Sequence, residues 1–375
     1  MEHPISLDRL PAGVQKICNP KAPPQMKAMA ASGLAPLKPI ELMSALYVLS
    51  YDADAKIAEK AKKSLNGMPE KVVLGVLEQL SEPEVIDGVA QILEPRIEAS
   101  KKIILNKNTA AETIVWMIKG LKDDSTLELV AANESRMLEH PEIIEALYLN
   151  STTRMSTVDR AVELAIRNGI ELTGIPSFRE LKQAITGELI PEPTAEPTPD
   201  DLLFSGSLNA EAWKELDEES VDAALDKDGE AASPETQQKV ASVEQTLAKL
   251  SISSKIRVAT LGSSTQRAVL IRDSNRLVVL AVLKSPTLNE SEVRRFSRFK
   301  TLPEEAVRYI AGSREWTKHY TVKLNLVQNP RCPIEYTLRF LPHIRVSDLR
   351  SLARDKNVPQ AVARAAKQLM QKRLR

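Results

Sequence analysis

The sequence predicts an all-α chain, two helical-repeat blocks joined by an acidic, proline-rich linker, and three observations predict it. Ala, Leu, Glu, Lys and Arg dominate the 375 residues, whereas aromatic residues make up only 4% and glycines number only 13, a composition of helix formers without the runs of a sheet protein. Apolar residues recur at three- and four-residue spacing in both flanking regions. Punctuation by Asn and Pro returns at regular intervals, and 375 residues suffice for two or three domains.

In residues 1–190 an Asn marks each expected inter-helix loop, with a helix start about three positions later: Asn19 then Ala22-Pro23, Asn66 then Pro69, Asn106 then Thr109, Asn150 then Thr153. The intervals are 47, 40 and 44, the length of a two-helix repeat, and Pro after a cap position is where a helix tolerates it. Asn66-Gly67 reads equally as a helix C-cap, and the helix after Asn150 equally starts at Ser156-x-x-Asp159. Glu134 to Leu149 reads as a helix pair broken at Pro141, and Met117, Met137 and Met155 read as core fillers.

Residues 191–246 are expected to be a mostly disordered linker. Four prolines fall within Pro191 to Pro199, which no helix crosses, and the acidic stretch that follows contains one short amphipathic motif around Trp213 and Leu216. Helical periodicity resumes from Lys239, with Val240, Val243, Leu247 and Leu250 on one face.

Residues 247–375 form the second block. Ser285-Pro286 and Asn329-Pro330 stand 44 apart, each after an apolar helix, Leu277 to Leu283 and Tyr320 to Val327. Ser291 to Pro303 aligns without gaps on Ser347 to Pro359 at an offset of 56, with Arg308 on Arg364. The two registers differ, which predicts short helices of uneven length stacked in pairs.

Asp54 to Leu65 and Val358 to Leu369 resemble second helices of HEAT or armadillo repeats, and that resemblance implies an α-solenoid in each block. Lys255-Ile-Arg-Val-Ala, Arg272-Asp-Ser-Asn-Arg276 and Asn329-Pro-Arg-Cys-Pro333 resemble a group of bacterial helical-repeat proteins without an assigned activity. This second resemblance covers the C-terminal third best and implies a fold, not a function.

Charge carries the functional reading. Residues 1–190 hold 22 basic and 26 acidic side chains, 191–246 hold 3 and 15, and 247–375 hold 26 and 9, so a total of +1 conceals an acidic centre and a strongly basic end. Arg294 with Arg298, and Arg350 with Arg354, are i, i+4 pairs on helix faces opposite Val293, Phe296, Leu349 and Leu352. With Lys300, Lys356, Arg308 and Arg364 they predict an anion-binding ridge, because guanidinium forks match carboxylate and phosphate. The expected partner is an acidic protein or peptide, or the chain's own acidic linker held beside the ridge by Trp213, and nucleic acid is the alternative. A structural reading competes with both: late-helix cations complement the macrodipole.

The expected molecule is therefore a non-catalytic cytoplasmic scaffold or adaptor, without a cofactor, with no membrane partner and no small-molecule substrate. Met1 to Lys16 has no apolar run, and the longest one, Leu277 to Leu283, is far short of a membrane span. Cys18 and Cys332 carry no metal or disulfide spacing, and His3, His140, His319 and His343 are isolated. Gly262-Ser-Ser-Thr265 lacks the lysine of a phosphate loop. Some helical-repeat proteins are base-excision glycosylases; here only Asp348 and Glu315 offer the acid such chemistry needs. Phe299 is the expected exposed ring, and Trp316 is expected to pack at a junction between units.

Overall fold

A computed structural model describes residues 5–94, 96–187, 196–209, 221, 224, 233–355 and 357–374. All regular structure among these residues is helical, and the chain divides into two compact units, Met1–Thr153 and Arg154–Arg375. The division falls well before the expected boundary at residue 190, and the physical reason is local. The helices at Met155–Arg167 and Phe178–Ile185 bury their apolar faces against elements that follow them.

The first unit contains α1 (Ala12–Cys18), α2 (Pro24–Ala31), α3 (Pro39–Leu49), α4 (Ala55–Asn66), α5 (Glu70–Leu77), α6 (Pro83–Ile92), α7 (Ile97–Leu105), α8 (Ala111–Gly120), α9 (Asp124–Ala131), α10 (Glu134–Glu139) and α11 (Glu142–Leu149). Proline starts α2, α3 and α6 at a first-turn position, where its missing N–H leaves nothing unpaired. Asp54 and Asp123 cap α4 and α9 through their side chains. Helices α1 to α7 each pack on the next but one, α1 on α3, α3 on α5, α5 on α7 and α7 on α9 in one series, α2 on α4, α4 on α6 and α6 on α8 in the other, while α8 packs on α11. Tyr47, wholly buried in α3, lies over Gly88 of α6, where any side chain would enter its ring.

The punctuating asparagines tie these pairs together. Asn106 Nδ2 donates to the Leu77 and Leu80 carbonyls at 2.7 and 2.9 Å, and Asn150 donates to those of Ile118 and Leu121. Asn66 donates to Ile92 O at 3.1 Å and accepts from Glu94 N at 2.8 Å. Arg136 adds its guanidinium to the Ile104, Asn106 and Lys107 carbonyls. Carbonyls at a helix C-terminus have no intrahelical donor, so an amide or guanidinium from a later turn satisfies them. Asn19 differs: its side chain accepts only from Lys21 N within its own turn.

The second unit contains α12 (Met155–Arg167), α13 (Phe178–Ile185), α14 (Pro199–Asn209), α15 (Pro234–Ala248), α16 (Ile252–Leu261), α17 (Ser264–Leu270), α18 (Arg276–Leu283), α19 (Glu290–Phe296), α20 (Glu304–Gly312), α21 (Arg314–Thr317), α22 (Tyr320–Gln328), α23 (Ile334–Phe340), α24 (Val346–Leu352) and α25 (Gln360–Leu374). Both repeat registers read from the sequence fit these bounds: α19 maps onto α23 at an offset of 44 and onto α24 at 56. The conflict dissolves because the recurring element is one short helix, with most successive starts 12 or 14 residues apart from Ile252 to Gln360.

Part of the acidic segment is ordered where a linker was expected, and much of the rest of 191–246 lies outside the described residues. Residues 199–209 form α14, which packs on α12, α15 and α16. Asp201 accepts from Ser156 N and Oγ at 2.9 Å each and from Thr198 N at 2.8 Å, while Asp200 accepts from Ser251 N and Oγ and from Ser254 Oγ. Two aspartates thus cap α14's neighbours α12 and α16 at their N-termini, where negative charge is stabilised. Phe204, 1% exposed, supports the guanidinium of fully buried Arg257 at 4.5 Å from its ring centroid. Composition alone suggested a solvated acidic spacer because these contacts span 45 to 54 residues. Trp213, the expected anchor, lies outside the described residues; Phe204 anchors the described part.

Candidate binding surface and cleft

Internal demand absorbs many of the C-terminal cations. Arg267 is buried, and all five of its N–H groups are directed at acceptors: Nε and Nη2 at Glu292, Nη1 at Gly262 O and Thr287 Oγ1, and Nη2 also at Thr287 O. Arg331 donates to the Thr301 and Leu302 carbonyls, Arg339 to Ala311 O, and Arg373 to those of Pro342 and Ile344. Lys255 pairs with Asp273, Lys284 with Glu180, Arg276 with Glu305 and Lys318 with Glu290. Loop and helix-end carbonyls and nearby carboxylates therefore occupy several of the basic side chains.

The residues expected to form the ridge fare differently. Arg294, Arg298, Lys300, Arg350 and Arg354 are exposed, and none of their side chains makes a hydrogen bond or ion pair with a described residue. Val293, Phe296, Leu349 and Leu352 are buried on the opposite faces, as the helical spacing required. Arg308 is exposed but paired with Glu304 at 2.9 Å, and Arg364 is exposed with Gln360 Oε1 at 3.4 Å. Lys356 lies outside the described residues. The main packing partners of α19 are α17, α21 and α22, whereas α24 packs on α25, so the two arginine pairs sit on helices with different neighbours.

A cleft of about 820 Å³ opens where α13, α18 and α20 meet. Helix α18 lies between the other two and supplies the floor, Leu277, Leu280 and Lys284. Arg179 and Gln183, one turn apart on α13, form one wall; Arg308 and Tyr309 of α20 and Trp316 of α21 form the other. At the base Lys284 Nζ donates to both oxygens of buried Glu180 at 2.8 Å, leaving the floor electrically neutral. Tyr309 and Trp316 meet edge to face, 5.7 Å between centroids and 63° between planes. Tyr309 is 40% exposed; burial of its hydroxyl end, reinforced by the Glu180 charge, holds the phenol above its usual pKa, so it is a neutral donor. Neither the Tyr309 hydroxyl nor the exposed Arg179 guanidinium has a partner among the described residues.

This placement corrects one expectation about aromatic residues: Phe299 is not a free ring, because Arg272 stacks over it at 4.3 Å. Trp316 packs on Tyr309 of the neighbouring helix α20, and its indole also lines the cleft. Of the two carboxylates considered for glycosylase chemistry, Asp348 accepts the Tyr320 hydroxyl, while Glu315 borders the cleft. Among the described residues no group of His, Cys, Asp and Glu is placed to hold a metal ion, and none of the helices is long and apolar enough to cross a membrane. Cys18 and Cys332 are both buried, and burial pushes the Cys18 thiol up to about 12. No family model, curated protein or solved structure matches the chain.

The cleft escaped the sequence reading because Glu180 and Lys284 are 104 residues apart. Its only sequence-level trace is the i, i+4 pair Arg179 and Gln183.

Proposed function

We propose that this protein is a non-catalytic interaction protein whose second unit binds an acidic segment of another protein. The carrying observation is the contrast among its cations. Arg267, Arg331, Arg339 and Arg373 are committed to the fold, whereas Arg294, Arg298, Lys300, Arg350 and Arg354 are exposed without a partner among the described residues. Arg339 shows the contrast, reaching Ala311 O in the last turn of α20. Two further observations support an α-solenoid of the HEAT-like kind as its frame: next-but-one packing of α1 to α7 in the first unit, and short helices whose starts from Ile252 to Gln360 are mostly 12 or 14 residues apart in the second. Asp200 and Asp201 direct their charge to helix N-termini, so masking of the arginines by the chain's own acidic segment falls to its other carboxylates.

Binding of a labelled Asp/Glu-rich peptide and of a generic DNA duplex to the full chain, titrated with salt, tests the reading. The peptide is expected to bind at about 50 mM salt and to weaken about tenfold or more by 0.3 M, as screening shortens the reach of exposed charges. Absence of peptide binding at low salt, or a duplex bound more tightly than the peptide, overturns it.

A further inference from the structure

We propose that the cleft between α13, α18 and α20 receives an aromatic side chain of the acidic partner segment, its ring against Trp316 and Tyr309 and a neighbouring carboxylate on Arg179. The inference rests on the acidic-partner reading and names what gives it specificity. Exposed cations select charge but not sequence, whereas a cleft lined in part by Leu277, Leu280 and Trp316 selects a shape.

The chemistry of the lining supports each contact. Leu277, Leu280, Tyr309 and Trp316 form a continuous apolar region, and an edge-to-face pair leaves ring faces open to a third aromatic group. Because Lys284 is already neutralised by Glu180 at 2.8 Å on both oxygens, no ligand charge is required at the base. The charged groups that border the opening are Arg179, Arg276, Arg308, Glu305 and Glu315, so an acidic residue flanking the anchor meets a guanidinium on the α13 wall, where Arg179 lies, and not beside Glu315 of α21. Arg276 and Arg308 already hold Glu305 and Glu304, which leaves Arg179 as the fork that accepts a new carboxylate. Gln183 and the Tyr309 hydroxyl are placed to bond the peptide backbone beside the anchor. A volume of about 820 Å³ accommodates a ring and its adjoining backbone. Trp, Tyr and Arg around an open cleft are also among the residues that dominate binding energy at interfaces.

Fluorescence anisotropy on the full chain with three labelled peptides tests the proposal: an Asp/Glu-rich peptide with one central Phe, the same peptide with Ala there, and a Lys-rich peptide with the same Phe. The Phe peptide is expected to bind about tenfold more tightly than the Ala peptide. Arg179→Gln and Trp316→Leu are each expected to reduce that preference to below about threefold. Arg179 is exposed and has no partner among the described residues, so its variant remains informative should the Trp316 change disturb folding. Equal affinity for the two acidic peptides, a preference that persists in both variants, or equal binding of the Lys-rich peptide overturns the cleft assignment. Failure of both acidic peptides to bind instead overturns the acidic-partner reading on which it rests.

Discussion

Glu292→Ala is expected to destabilise the second unit by about 3–5 kcal/mol, a large share of the roughly 5–15 kcal/mol that holds a domain folded. Glu292 is wholly buried and serves two purposes. It receives Arg267 Nε at 2.8 Å and Nη2 at 3.1 Å, and its Oε2 closes the capping box of α19 by accepting from Asn289 N at 3.0 Å. Removing it strands a buried guanidinium with two N–H groups unpaired, and desolvation of that charge sets the size of the effect. Replacing both partners, Arg267→Met with Glu292→Met, removes the stranded charge and is expected to be milder than Glu292→Ala alone. Denaturant unfolding of the full chain measures both variants; a loss below about 1 kcal/mol for Glu292→Ala would show that water reaches the pair.

Acid is expected to loosen the second unit through Asp201. Burial pulls its carboxyl upward, but the Ser156 and Thr198 amides and the hydroxyls of the same two residues outweigh it and hold it below the usual carboxylate range. With the folded value depressed, the unfolded chain takes up the proton first. The stabilisation is fully present above the unfolded value, about 3.9, and disappears as pH falls through the folded one. Asp201→Asn is expected to lower stability at neutral pH by about 1–3 kcal/mol and to flatten the acid limb of the melting profile. Asp52 and Asp123 in the first unit are also held low, so the informative quantity is the difference between variant and native profiles. Parallel acid limbs would contradict the assignment.

Local order was legible wherever one short stretch carries its own cause. Prolines at helix starts, the break at Pro141, the faces of α19 and α24, and the asparagines between helix pairs all follow from spacing and cap chemistry. Residues whose meaning depends on distant partners were not legible. Asp200 and Asp201 read as part of a solvated acidic run until Ser156 and Ser251 supply their helix N-termini. Arg267 counts as one more positive charge until Glu292, 25 residues on, neutralises it. A net charge therefore overstated the cations available to a partner, and only the accounting of their acceptors separates structural arginines from unpaired ones.

The exposed arginines without a partner among the described residues are proposed to hold an acidic partner. The variant combining Arg294→Gln, Arg298→Gln, Arg350→Gln and Arg354→Gln alters exposed side chains without described partners, so its thermal unfolding is expected to match the native chain. Its affinity for the Asp/Glu-rich peptide at about 50 mM salt is expected to fall at least tenfold, whereas unchanged affinity would contradict the claim.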